Sequence, residues 1–582
     1  MARPRWRVPD VRLAGVGVVL VAAWVGIGVR LVDVQALSAD EYADRGLDQR
    51  VRQEELLAVR GSILDRAGRR LATTVDAVTV VADPTIITDD RAAARLLARL
   101  VEGNTSDLRA AFAGDSRYYV VARGIEGEDA DEVRAAVEEA QLDGVFFETE
   151  PKRIYPAGAL ASQVVGFVGG DVGGGLEGLE HQYDDRLSGI AGSQIIERDP
   201  FGNPIPQGQY VVDPPLDGAD LVLTIDAEIQ FAAERALKRR LRTTKAEAGS
   251  IIVMDVTTGE LLAVANAPTF DPNDRSGVDP ALFRDRAVAD VYEPGSTLKV
   301  VTVAAALEEG IVEPSTLFKV PAEYVIPLQP EPKVYTDEGR SRDVDMTVGE
   351  IVARSSNIGT ILIQQLLGNE AHHRYLEAFG LGEKAGDLPG ESAGSLEDAA
   401  DWCDTTCGPS TAIGYRVGVT PLQMAGVFAA IANDGVWVEP HVVGKIVRAD
   451  LSTEVVEPDE RVVLSPETAR IMQQLLRGVV EADGGTGRLA AVAGYTVGGK
   501  TGTTEKYLPD EGAYSETERI ASFIGIAPIS DPRIVVVVVL DSPRGEDPNG
   551  GDYHFGGVSA APVFAEVAEA ALHDLGIPQD AS

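Results

Sequence analysis

The longest apolar stretch of the chain runs from Leu13 to Val29 and relaxes through Arg30 and Asp33 to Leu37. It approaches the ~20 residues that span a bilayer as a helix and exceeds the ~7–15 of a signal-peptide core. Arg3, Arg5, Arg7 and Arg12 precede it, which orients the N-terminus toward the cytoplasm. A cleaved signal ending at Ala36-Leu37-Ser38 is the competing reading. Charged Arg30 and Asp33 lie between the apolar core and that site, and they favour a retained anchor over 13–34 behind a short tail, 1–12.

Beyond the anchor, the polar stretch from Ser38 to Ala58 predicts a helical stalk. A short strand then ends in a turn at Asp65 to Gly68, and a second strand runs from Leu71 through Val81 to a stop at Pro84. The charges of Arg60, Asp65 and Arg66 read as a salt-linked scaffold. Residues 89–142 alternate short helical patterns with acidic turns and suit a small head subdomain. Pro/Gly-rich chain fills 199–220, and Leu221 to Asp226 forms a strand leading into a helix from Ala227 to about Leu241. Further on, Ile251–Met254 and Leu261–Val264 flank a turn as a hairpin, and Ile520–Ala527 pairs with Ile534–Leu540 in the same way. The run Val535 to Val539 has no polar face, so it predicts a strand covered by helices on both sides, Ala561 to Leu575 being one of them. With a strand around Lys500 this makes about five antiparallel strands between helices, an α+β catalytic unit over 220–575 after a separate unit over 50–215.

Within that unit, Tyr292-Glu293-Pro294-Gly295-Ser296-Thr297-Leu298-Lys299 leads into an apolar run ending at Leu307, which predicts a buried helix that stops at Gly310. Residues i and i+3 share a helix face, so the Lys299 amine comes within reach of the Ser296 hydroxyl. A serine is a weak nucleophile until its proton is removed, and a lysine removes it only when kept partly neutral. Burial and the positive end of the helix dipole both favour the neutral amine. Ser-x-x-Lys also occurs by chance in many helices, so the pair alone decides nothing. Downstream, Thr347-Val348-Gly349-Glu350 is a capping box, and Ser355-Ser356-Asn357 interrupts or follows its helix before the apolar run Ile358 to Leu367. Val497 to Thr503 reads as an edge strand whose glycines let a ligand backbone approach.

Composition narrows the function classes. A net charge of −39 over 582 residues excludes a nucleic-acid binder, which needs a basic face, and reads as a solvated acidic surface. The six histidines are scattered without zinc-site spacing, so neither a metal nor another cofactor is expected. Cys403 and Cys407 are the only cysteines. In an exported chain their spacing suggests a disulfide closing a small loop, two free structural thiols being the alternative.

Ser-x-x-Lys at Ser296, Ser-x-Asn at Ser355 and Lys-Thr-Gly at Lys500, in this order, resemble the motif set of penicillin-binding proteins and class A β-lactamases. The middle motif is Ser-Ser-Asn here, not Ser-Asp-Asn. Arg60 to Ala72, Arg153-Ile154-Tyr155-Pro156-Ala157-Gly158, and Gly175-Leu176-Glu177-Gly178-Leu179-Glu180 with Tyr183, Leu187, Gly189 and Gly192 resemble the pedestal of class B penicillin-binding proteins, the monofunctional transpeptidases. β-Lactamases lack that pedestal. The resemblance implies the penicillin-recognising fold, with no N-terminal glycosyltransferase-sized domain and no C-terminal repeat modules.

It also implies a substrate, the D-alanyl-D-alanine end of a peptidoglycan stem peptide, and roles for the motif residues. Ser296 would be acylated, Lys299 would take its proton, and Ser355 would relay a proton to the departing D-alanine. Asn357 would bond the substrate's backbone, while Lys500, Thr501, Gly502 and Thr503 would receive its carboxylate and oxyanion. β-Lactams would bind as substrate mimics. A polytopic membrane glycosyltransferase and division proteins are the implied partners, with septal synthesis favoured over elongation. The alternatives are a D,D-carboxypeptidase or β-lactamase-type hydrolase, and a penicillin-sensing scaffold with little turnover.

Overall fold

The computed structural model of the protein describes residues 11–38, 40–42, 51–170, 173–198, 204–508 and 511–581. They form two compact units, Met1–Val59 with Gly189–Asp217, and Arg60–Ser188 with Gly218–Ser582.

The first unit begins with the helix Val11–Val32, continued by a wider turn over Asp33–Leu37. Its apolar side chains are exposed along the whole span Leu13–Leu37. A helix of 22 residues, at ~1.5 Å rise per residue, matches the thickness of a bilayer core. The rest of the unit is an antiparallel sheet of Val51–Leu56, Gly192–Arg198 and Pro204–Asp213. This corrects two expectations. The stalk is a strand over 51–56, its 43–50 portion lying outside the described residues, and the Pro/Gly-rich segment is a strand over 204–213. Val51-Arg52-Gln53-Glu54-Glu55-Leu56 shows no alternation that would announce a strand; its pairing with Gly192 to Glu197 makes it one.

In the second unit the strands Ile63–Leu64 and Arg70–Ala82 form as the sequence predicts, around a turn fixed by Asp65. The fully buried Asp65 carboxylate accepts from Ala67 N, Arg69 N and Arg69 Nε. The strand Asp220–Leu223 joins them, parallel to Ile63–Leu64 and antiparallel to Val443–Val447. Three helices, Asp90–Leu100, Thr105–Phe112 and Gly127–Glu139, and the strand Tyr119–Glu126 make up the head region. The expected charged scaffold is present, with partners that only the fold supplies. Glu180, wholly buried, takes Arg60 Nε at 2.7 Å on one oxygen and Arg153 Nε at 2.7 Å on the other. Arg60 also reaches Asp184, whereas Arg66 pairs, among the described residues, only with Glu260, at 3.6 Å.

The five-stranded antiparallel sheet has the order Leu261–Ala267, Ala248–Asp255, Ile534–Asp541, Ala513–Ala527, Gly498–Leu508. Alternation along its central strand divides two cores. Val535, Val537 and Val539 face one, with the helices Lys299–Glu308 and Pro421–Ala432, while Val536, Val538 and Leu540 face the other, with Ala227–Thr244 and Ala561–Asp574. Each such side chain contributes roughly 1.5–3 kcal/mol by leaving water. The strand bearing Lys500 is left at the edge. Cys403 and Cys407 form a disulfide.

Removing Glu180 would take from the buried Arg153 its carboxylate partner and leave Arg60 paired with Asp184 alone. Glu180→Ala is expected to destabilise the protein by about 3–5 kcal/mol in denaturant unfolding, and Arg66→Ala, a half-exposed pair, by less than ~1 kcal/mol. Equal effects would remove the buried triad from its structural role.

Candidate active site

The segment before Ser296 is pinned on three sides. Tyr292 pairs with Val419 in both directions, Glu293 Oε1 accepts from Arg416 N and Tyr514 Oη, and Thr504 Oγ1 donates to Glu293 O. Gly295 has φ +55, and a Cβ there would lie 2.4 Å from Thr504 Cγ2, so only glycine fits where the chain turns into the helix. That turn, Gly295–Leu298, is 3-10, and the α-helix proper begins at Lys299 and runs to Glu308. At three residues per turn Ser296 and Lys299 eclipse, which keeps them on one face despite the change of helix type.

Lys299 is buried and donates to Ser355 O at 2.6 Å, Asn357 Oδ1 at 2.7 Å and Ser355 Oγ at 3.3 Å. Its three donor directions are thus taken by the Ser-x-Asn turn. The direct contact to Ser296 expected from helix spacing is not formed, and among the described residues the Ser296 hydroxyl makes no hydrogen bond. The reason is the backbone at Ser355, which sits between the helices Val348–Ala353 and Asn357–Leu367 with φ +58, turning its carbonyl onto Nζ. The expected capping box at Thr347 and Glu350 opens the first of these helices, and Ser356 caps the second.

Lys500 approaches the same serine from the sheet edge. It is fully buried, and its Nζ donates to Ser355 Oγ at 2.8 Å and to Thr501 O at 3.1 Å. Two amines therefore converge on one hydroxyl. Burial pushes Lys299 down from 10.5 to about 7, against the pull of the Asp337 charge. Burial, and then the charge of Lys299, hold Lys500 well below the ordinary lysine value.

Thr501 and Thr503 follow on the edge strand. Thr501 Oγ1 shares a hydrogen bond of 2.8 Å with Thr486, and Thr503 Oγ1 accepts from Gly556 N at 3.2 Å. The protein's own packing requires the glycines around Lys500: a Cβ at Gly499 would meet Ile524 O at 2.6 Å, and one at Gly502 would meet Ser522 Oγ at 2.3 Å and Pro294 O at 3.1 Å. Asn357 is likewise occupied at both ends, Oδ1 by Lys299 and Nδ2 by Thr336 O at 2.9 Å.

Ser296, Ser355, Asn357, Thr501 and Thr503 line one open cleft of about 1260 Å³, with the two lysines buried behind it. Asp337, Arg340, Tyr415, Thr486, Arg519 and His554 line it too. No motif marks them. Asp337 stands in Thr336-Asp337-Glu338-Gly339, which from sequence is only a turn.

The family described as penicillin-binding protein transpeptidase domain matches residues 249–569, and the penicillin-binding protein dimerisation domain matches 55–223. The chain is 31% identical to a probable peptidoglycan D,D-transpeptidase PenA of Neisseria meningitidis, over 97% of this chain and 93% of that one. It is 32% identical to the peptidoglycan D,D-transpeptidase FtsI of Escherichia coli K12, over 97% and 92%. It is also 34% identical to the penicillin-binding protein PbpB of Mycobacterium tuberculosis, over 88% and 77%. Among solved structures, penicillin-binding protein 3 of the Mycobacterium species, complexed with aztreonam, superposes with a TM-score of 0.71 at 30% identity, over 90% of this chain and 98% of that one. Identity above 30% along nearly the whole chain, with both domains in order, makes this protein a member of the class B penicillin-binding proteins, the division-type peptidoglycan D,D-transpeptidases.

Proposed function

We propose that Ser296 is the acylated nucleophile of a D,D-transpeptidase that cross-links peptidoglycan stem peptides in septal wall synthesis and that β-lactams inactivate. The observation that carries this reading is the convergence of two buried amines, Lys299 and Lys500, on Ser355 beside the Ser296 cleft. Lys299, neutral in part at physiological pH, takes the Ser296 proton as Oγ bonds to the penultimate D-alanine carbonyl carbon. The backbone N–H groups of Ser296 and Thr503 hold the oxyanion. When the carbonyl re-forms, the amide C–N bond breaks and the D-alanine nitrogen leaves with a proton relayed through Ser355. The amine of a second stem peptide then attacks the ester, an amide forms, and Ser296 recovers its proton.

Lys500, with Thr501, Gly502 and Thr503, receives the substrate carboxylate. Burial disfavours its ammonium, and an incoming anion would restore it. The edge position of the Gly498–Leu508 strand leaves room for the peptide to add as a further strand. Asn357 then exchanges its Thr336 and Lys299 partners for the substrate's amide groups. Residues 220–575 perform the chemistry. Residues 50–215 serve as a pedestal for division proteins and a polytopic membrane glycosyltransferase, and the anchor over 13–34 leaves residues 1–12 in the cytoplasm.

A labelled penicillin tests the reading. Stoichiometric, long-lived label at Ser296 is expected, absent in Ser296→Ala and slowed ~10²–10⁴-fold in Lys299→Ala. Rapid release would favour the hydrolase, and no labelling would favour the scaffold. The acylation rate should rise with pH and level off above about 7, because only the deprotonated amine is a base and burial has lowered its pKa to about 7. A rate still climbing toward the ordinary lysine value of 10.5 would remove Lys299 from that role. For the topology, protease added outside intact protoplasts should destroy penicillin binding while sparing the N-terminal peptide; full protection would reverse the orientation.

A further inference from the structure

Acyl transfer to an amine leaves one proton to be placed. An acceptor amine in neutral water is an ammonium, and its nitrogen gives up two protons in becoming the amide of a cross-link. One restores the Ser296 hydroxyl. The other must leave first, because an ammonium has no lone pair with which to attack the ester. Lys299 and Lys500 are buried behind the cleft wall and meet at Ser355, which places them on the ester side of the reaction. The proton that leaves first needs a base on the wall itself.

Among the described residues the cleft wall carries a single imidazole, that of His554. Its Nδ1 stands 3.2 Å from Asp552 Oδ1, the same oxygen accepts from His554 N at 2.9 Å, and Asp552 also lines the cleft. A carboxylate beside one ring nitrogen keeps the proton there, leaves the lone pair on the other nitrogen, and steadies the imidazolium once it forms. Nε2 is that other nitrogen, and among the described residues it has no hydrogen-bond partner. Carboxylates line the cleft too, but an imidazole is ordinarily the stronger base by about two pK units.

The turn that carries His554 is fixed on both sides. Tyr553 N donates to Gly545 O at 2.9 Å, and the Tyr553 ring lies 4.9 Å from the Arg240 guanidinium. Two residues beyond His554, Gly556 N donates to Thr503 Oγ1 at 3.2 Å, and a Cβ at Gly556 would lie 2.5 Å from Gly502 O. Backbone next to the imidazole is thus pressed against the edge strand that bears Lys500 and Thr503, along which the acyl group would lie.

On the reading of Ser296 as the acylated residue, we propose that His554 is the base that prepares the acceptor amine. An N–H bond of the ammonium breaks as Nε2–H forms. The freed lone pair makes the C–N bond, the ester C–O bond breaks, the nitrogen's second proton passes to Ser296 Oγ, and the imidazolium returns its own proton to water. His554 is catalytic in this role, since it touches the attacking group. Asp552 is a positioning residue that acts through the ring.

The test compares two acceptors on the full-length protein acylated by a D-alanyl thioester donor peptide, with amide formation measured per acyl-enzyme. One acceptor is a stem peptide with a side-chain ammonium; the other is hydroxylamine, which is mostly free base at neutral pH and needs no base to prepare it. His554→Gln is expected to slow transfer to the stem peptide on the order of 10²-fold and transfer to hydroxylamine by no more than a few-fold. Asp552→Asn should slow the same step by a smaller factor with the same selectivity, and it carries the test if the melting temperature shows that His554→Gln does not fold. Equal losses with both acceptors would reduce His554 to a shape of the wall and overturn the proposal. So would transfer to the stem peptide at the parent rate in whichever variant folds. A parent protein that the donor never acylates would overturn the transpeptidase reading and this inference with it.

Discussion

Two lysine amines buried within hydrogen-bonding distance of one serine hydroxyl form the constraint on which the rest of this structure depends. Among the described residues neither amine forms an ion pair with a carboxylate, though the Asp337 charge pulls on Lys299, and both lose hydration in the fold. Ammonium groups in such surroundings are poorly solvated, and burial holds both lysines below the ordinary lysine value. A group poised this way can accept a proton from a serine and later return one, and an anion entering the cleft changes the balance in a predictable direction.

Holding such a pair requires rigid supports from three separate parts of the chain. Lys299 stands on a helix whose side chains from 299 to 307 are all buried, Lys500 on a strand bonded to its neighbour along Gly498 to Glu505, and Ser355 in a left-handed turn between two capped helices. The glycines contribute through absence: at Gly295 and Gly502 a side chain would force the nucleophile's turn and the edge strand apart. The Glu180 triad follows a different logic. Its charges are paired within the fold, and it fixes Arg60 and Arg153 against each other; none of the three lines the Ser296 cleft.

Much of this was legible in one sequence because the signals are local. The Val535–Val539 run can only be a strand covered on both faces; the capping box at Thr347 needs four residues; Pro294, Gly295 and Gly310 bracket their helix. The motif order selected the family, and the same residues then gather at one cleft, the serines, Asn357 and Thr501 on its wall and the two lysines buried behind it. The departure at Ser356 was also readable as a departure.

Whatever depends on partners distant in sequence was decided by the tertiary structure. Val51 to Leu56 became a strand because Gly192 to Glu197 supplies its hydrogen bonds, a pairing that no period in so polar a segment could announce. Helix spacing placed Lys299 on the face of Ser296, but the direction of its amine was set by a carbonyl and an amide 56 and 58 residues away, which offered closer acceptors than the nucleophile did. The glycines of the Lys500 strand were legible as a close approach, while the approaching atoms proved to be the protein's own. Asp337 carries no local mark, since a carboxylate in a turn comes to line a cleft only through the fold. Sequence by itself marked the elements that carry a local pattern and the residues expected to carry the chemistry; the three-dimensional fold decided which segments pair without such a pattern and which acceptor each donor finds, because hydrogen bonds follow distance in space and not along the chain.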